Sequence, residues 1–263
     1  MTVSRKKDFI PGIFNYCDRW CERCEYTRLC RLAADLEKAE RRRRRKGKDP
    51  ADDSIDGAME EVGRSFEVVA RALRKRARKE GWDLDAIDTA AIDAHESDLR
   101  RRCEQHPLAL EARQWCREGM KLVKDLQPLL RSEGEDLQRR GDFMDVQDEA
   151  DRFEALAQAM EVVAFDSTLV AAKMRRAIDG LLESADETDF MHEIGLEDAN
   201  GSAAVILRCL KRDRPALVRI YEHDERLEEQ ALGLLARLDR MEKGLAEVLP
   251  GALTFVWPPK AEE

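Results

Sequence analysis

From Phe153 to Leu181, the residues Phe153, Ala157, Met160, Ala164, Ser167, Val170, Met174, Ile178 and Leu181 recur at intervals of three and four. That spacing keeps one face of a helix apolar for about eight turns, and a stripe so long has to be covered by partners of similar length. Shorter stripes of the same period flank it. Ile55, Met59, Val62, Phe66, Val69 and Leu73 predict a helix that packs one face into a core, with Ser54 as its N-cap and Gly81 closing it. Leu84, Ile87, Ala91, His95 and Leu99 predict another from about Asp83 to Cys103, ended by His106-Pro107. Leu108, Ala112, Trp115, Gly119, Leu122 and Leu126 follow, with Pro128 expected to kink or end their helix.

Past the long stripe, residues 182–202 break the pattern and read as a loop with a short helical turn. A helix is then expected from near Ser202, kinked or restarted at Pro215, to Tyr221, and a last one from Glu225 to Leu249. The polar stretch 131–145 reads as a connection, and only residues 252–257 read as extended. Nothing alternates strand with helix, and aromatics are only 6% of the chain. The expected fold is all-α: an antiparallel bundle of six or seven helices over 54–251, preceded by an N-terminal segment, 1–48, of cysteine cluster and basic helix.

That segment carries "NYCDRWCERCEYTRLC", with four of the seven cysteines: Cys17, Cys21, Cys24 and Cys30. A chain of 263 residues buries enough surface to fold without disulfides or metal, so the clustering needs another reason. The start, "MTVSRKKDFIPG", lacks the apolar core of a signal peptide, and no uninterrupted apolar run is long enough to span a bilayer. The expectation is a cytoplasmic chain with no membrane partner, in which thiols stay reduced and the cysteines either bind a metal or pack as small apolar residues. If residues 15–25 are helical, Cys17, Cys21 and Cys24 fall at i, i+4 and i+7 on one stripe, with Cys30 closing the site from the next turn. Four thiolates suit a zinc ion or an iron–sulfur cluster, and Arg19, Arg23, Arg28 and Arg31 around them offset their charge. Cys103, Cys116 and Cys209 stand alone in helical stripes and read as core thiols.

The run "CERCEYTRLC" has the C-x2-C-x5-C spacing and resembles the cysteine triad of the iron–sulfur nucleases of the RecB-like family. In that family the triad joins a distant upstream cysteine around a four-iron cluster; here the fourth cysteine, Cys17, is local, and no acidic pair followed by Glu-x-Lys supplies a nuclease metal site. The resemblance implies a 4Fe-4S cluster as the favoured cofactor, zinc being the alternative, and does not imply nuclease activity. Cys17, Cys21 and Cys24 also match the radical S-adenosylmethionine spacing, whose chemistry needs a barrel loop that this chain does not offer. "IPGIFNYCDRWCERC" and "EDANGSAAVIL" together resemble a family of uncharacterised bacterial helical cysteine-cluster proteins, which implies one family over the whole chain.

Charge is uneven along the chain. The net charge is −9, yet residues 1–105 are net +3 and residues 106–263 net −12. Arg41, Arg42, Arg43, Arg44 and Arg45 form the densest basic run, with Lys38, Lys46 and Lys48 beside it. It reads either as a set of phosphate contacts to nucleic acid or another polyanion, or as a solvated helix end, and it contains no aromatic for stacking on bases. A di-iron site would need Glu-x-x-His pairs, and none is present. Asp189-x-x-His192 reads as a capping or surface feature, His95 as a hydrogen-bonded core histidine, and Glu111 and Glu161 as acids beside buried faces without evident partners. The expected function is a metal- or cluster-binding helical module with a regulatory or redox-sensing role and an unidentified protein partner. The alternatives are a redox enzyme using the cysteine centre and a polyanion-binding protein. A buried cluster of polar residues in the bundle would favour the enzyme.

Overall fold

The protein was analysed as a computed structural model that describes residues 9–45, 47, 55–84, 86, 88–141, 146–186 and 190–257, without the side chains of residues 55–58, 61, 186, 190 and 191. Among these residues there are seven α-helices and no strand: α1 Arg31–Arg45, α2 Ile55–Glu80, α3 Thr89–Gln105, α4 Pro107–Gly141, α5 Gln147–Asp186, α6 Phe190–His223 and α7 Glu228–Val248. Short 3-10 turns stand at Cys21–Arg23, Thr27–Leu29, Glu225–Leu227 and Pro250–Leu253. The last of these takes up residues 252 and 253 of the segment expected to be extended, and residues 254–257 form no strand. Two compact units emerge, residues 9–14 with 19–96, and residues 15–18 with 97–257.

In the first unit α1 ends before Gly47, whose φ of 67° is the left-handed conformation that stops a helix. Gly81, at φ 72°, closes α2 as expected, with the Trp82 amide donating back to the Ala77 carbonyl at 2.9 Å. The α2 stripe, however, is not in a core. Met59, Phe66 and Val69 are 63%, 70% and 62% exposed, and Val62 and Leu73 are exposed with them. Periodicity reports an amphipathic helix but not what covers its apolar face. The third helix starts at Thr89, capped by the Asp88 carboxylate on the Ala91 amide at 3.0 Å, and His95 on it is exposed, not a core histidine. Ser54 and Ile87 lie outside the described residues.

In the second unit α4, α5, α6 and α7 form an antiparallel four-helix bundle. Glycines mark the tight crossings of α4 with α5: Gly119 faces Ser167 and Gly134 faces Phe153. Between α5 and α6, Gly180 faces Gly195 and Arg176 pairs with Asp198. Arg237 of α7 reaches Glu118 at 2.5 Å and Glu111 at 2.8 Å on α4, and Leu108 sits against Gly244. Residue numbers rise along one helix as they fall along its neighbour, which is the antiparallel order. Trp115, Leu122, Leu126, Val163, Met174, Ile178, Leu217 and Leu238 fill the core.

Several expected helix ends are absent. The fourth helix runs through Pro128 and through the polar stretch to Gly141, and α6 begins at Phe190 and continues through Pro215. An internal proline costs about 3 kcal/mol, which burial of Leu126 and Leu130 on one helix, and of Leu210 and Leu217 on the other, outweighs. At 40 residues α5 is the longest helix, as expected. It is also long and apolar enough, by length and composition, to cross a membrane, although its Val163, Val170, Met174 and Ile178 are used in the bundle core.

Candidate functional site

Cysteine, aspartate, asparagine, tyrosine, tryptophan and threonine, all modest helix formers, dominate residues 15–30, and the segment does not form the helix expected over 15–25. Arg19 takes a left-handed φ of 63°. Two successive 3-10 turns follow in the first unit. The Cys24 amide closes one on the Cys21 carbonyl and the Cys30 amide closes the other on the Thr27 carbonyl, both at 3.3 Å. Cys24 and Cys30 leave their turns with nearly the same backbone, φ −86°, ψ 121° and φ −96°, ψ 121°. The Thr27 hydroxyl ties the turns together through the Cys24 carbonyl at 2.7 Å and the Cys21 carbonyl at 3.2 Å. The Arg23 guanidinium lies 4.0 Å from the centre of the Trp20 ring. Cys17, Cys21, Cys24 and Cys30 are therefore not one stripe of a helix, and each is half-buried, whereas Cys103 and Cys209 are fully buried core thiols. Cys116 is half-buried. Among the described residues no three His, Cys, Asp or Glu side chains are gathered as a metal ion would need them.

Residues 15–18, which include Cys17, belong to the bundle unit and are fastened to α5 and α6 by side chains at helical spacing. Arg208 and Arg212, one turn apart on α6, donate to the Tyr16 carbonyl at 2.5 Å and to the Asp18 carboxylate. Lys173 of α5 donates to the Asn15 carbonyl at 3.2 Å. The Tyr16 hydroxyl donates to Asp198 at 3.1 Å, the carboxylate that Arg176 also holds at 2.8 Å, and its ring meets Phe255 edge-on with centroids 4.9 Å apart. Burial, with the Asp198 charge second, pushes the Tyr16 phenol up to about 12. Gly201 makes the berth: a Cβ there would come within 2.5 Å of the Tyr16 ring.

Arg212 links this segment to a polar cluster inside the bundle. Its Nε and a terminal nitrogen bind fully buried Asp166 at 2.6 and 2.5 Å, and the Cys209 sulfur lies 3.6 Å from the same guanidinium. Burial works against the charged form of Arg212, but the hydrogen bonds to Asp166 and Asp18 together with the negative charge around it outweigh burial and raise its pKa. Arg208 is shifted the other way, chiefly by burial. Asp213 is fully buried and neither carboxylate oxygen has a hydrogen-bond partner; burial, then the Asp166 charge, holds its carboxyl well above the usual carboxylate range. Burial likewise keeps Cys209 a thiol. The sequence reading passed over Asp166 and Asp213. Their signal was position: Asp213 takes a turn of the stripe Ile206, Leu210, Leu217, Ile220, where an aliphatic residue is the rule.

The remaining candidates lie elsewhere in the fold. Glu111 binds Arg237 and Arg240, at 2.8 and 2.7 Å, and Glu161 is exposed. The His192 Nδ1 lies 2.6 Å from the Ser184 carbonyl, while Asp189 lies outside the described residues. Arg41 and Arg44 of the basic run pair within α1 with Glu37 and Glu40, the latter at 2.6 Å. A cleft of about 500 Å³ opens between Glu133, Arg140, Phe153 and His223, and Asp166 and Asp213 are not among its lining. No protein-family model, curated protein or solved structure matches the chain.

Proposed function

We propose that the chain is a metal-binding sensor module: Cys17, Cys21, Cys24 and Cys30 hold a 4Fe-4S cluster, or in its place a zinc ion, and the helical bundle responds to the state of that centre. The observation that carries this reading is the fastening of Asn15, Tyr16 and Asp18, the neighbours of Cys17, to Lys173, Arg208 and Arg212. A change of charge at Cys17 acts on two half-buried guanidiniums that hold the residues on either side of it. The C-x2-C-x5-C likeness supports the cluster, whose contribution is the gain or loss of one electron, and zinc would supply a fixed tetrahedral shell. Cys21, Cys24 and Cys30 lie on or beside the two short turns that the Thr27 hydroxyl ties together, and metal binding would reorganise those turns.

Anaerobic purification followed by metal and acid-labile sulfide analysis tests it. Iron with sulfide and a brown colour is expected, or one equivalent of zinc in a colourless protein, and in either case Cys21→Ser with Cys24→Ser removes the metal while the helical circular dichroism stays. Protein that holds neither metal after anaerobic purification and reconstitution overturns the reading. The buried cluster of Asp166, Arg212 and Asp213 favours a second reading, a redox enzyme in which Asp213 carries a proton. We place it second because Arg212 is already saturated by Asp166 and Asp18, which leaves a closed ion network and no open acid–base pair.

A further inference from the structure

The apolar face of α2 points to a second copy of this chain as its occupant, and we infer that the protein self-associates through α2 in antiparallel register. Met59, Val62, Phe66, Val69 and Leu73 alternate at intervals of three and four, the strict seam of a two-helix coiled coil, and all five are exposed. A contiguous exposed face of this size marks an interaction surface. The residues flanking the seam are small: Gly63 has open space where a Cβ would stand, and Ser65, Ala70 and Ala72 complete the flanks, so another helix can come close on either side.

Charge names the occupant and its direction. The first half of α2, residues 55–67, is net −3 in sequence, and the second half, residues 68–80, is net +5, with Arg71, Arg74, Lys75, Arg76, Arg78 and Lys79. A parallel pair would stack the basic halves on each other. An antiparallel pair lays each acidic half along a basic one, across a two-fold axis near the middle of the seam.

Sedimentation of the full chain, with a photo-crosslinking residue in place of Val62 in a parallel sample, decides the matter. The chain is expected to sediment as a dimer, and the crosslink to capture the peptide of a second copy that carries Val69 and Leu73. Phe66→Glu, at a position 70% exposed, is expected to weaken dimerisation by about a hundredfold or more with unchanged circular dichroism, as for an interface anchor. A wild-type monomer overturns the inference. So does a crosslink to position 62 of the second copy, which means a parallel pair, to the chain's own bundle, or to another protein.

Discussion

Asp213 stands where the stripe of α6 calls for an aliphatic side chain, and it has no hydrogen-bond partner there. The folded chain keeps its proton at pH values where the unfolded chain has released it. Because the unfolded state then binds fewer protons than the native one, stability falls as pH rises above the ordinary aspartate value, and the fall continues until the raised native pKa is passed. Asp213→Asn removes the titration and keeps the shape. Whatever constant offset the amide brings, the stability of this variant relative to wild type is expected to grow by up to about 1.4 kcal/mol for each pH unit between about pH 5 and pH 8. Urea unfolding at several pH values measures it, and parallel curves for the two proteins would mean that Asp213 is ionised in the fold. Arg212→Leu is expected to act oppositely and at all neutral pH values. It leaves Asp166 buried and uncompensated, a loss of about 3 to 5 kcal/mol.

At the scale of elements, Gly201 of α6 tests whether residues 15–18 are a working part of the bundle. Gly201→Ala improves helix propensity by about 1 kcal/mol, yet its Cβ would lie 2.5 Å from the Tyr16 ring and 2.9 Å from the Phe255 ring. The ring has to leave, and the hydroxyl bond to Asp198 and the edge-on contact with Phe255 go with it. Net destabilisation of about 1 to 3 kcal/mol is expected, with Tyr16 fluorescence and near-ultraviolet dichroism moving toward those of an exposed phenol, and Tyr16→Ala in the same chain should abolish the effect of the alanine. The elements themselves were mostly legible. The stripe of α4 matched its buried face residue by residue, whereas that of α5 held for Ser167, Val170, Met174 and Ile178 but ran beside the buried Leu156, Ala159 and Val163 in the first half of the helix. Local punctuation misled at Pro128, Pro215 and residues 190–202, where packing on both sides outweighs the penalty of a proline or a polar run. Amphipathic α2 misled differently, since periodicity cannot say whether an apolar face meets its own chain. The cysteine spacing was legible, but the turns that present it depend on Arg19, Thr27 and the fastening of Tyr16, and none of these has a periodic signature.

For the whole molecule, residues 15–18 belong to a unit from which they are separated by about eighty residues of chain. Local contacts form such a unit quickly, whereas Tyr16 and Asp18 close a long loop whose entropy grows only slowly with length, so the bundle should fold first and capture the segment afterwards. A fragment of residues 97–257 is therefore expected to fold as a helical bundle that lacks the Tyr16, Asp18 and Asn15 contacts and keeps the Asp166–Arg212 pair. Losing that many hydrogen bonds and the Tyr16–Phe255 packing costs about 2 to 4 kcal/mol, which for a domain of this size lowers the melting temperature by roughly 5 to 15 °C. A peptide of residues 9–30 added in excess should restore part of that loss by mass action, and the same peptide with Tyr16→Ala and Asp18→Ala should not. Calorimetry of the fragment with each peptide gives the answer. If neither peptide shifts the melt, the neighbours of Cys17 are not held by the bundle, and a centre at the cysteines would have no route to Arg212.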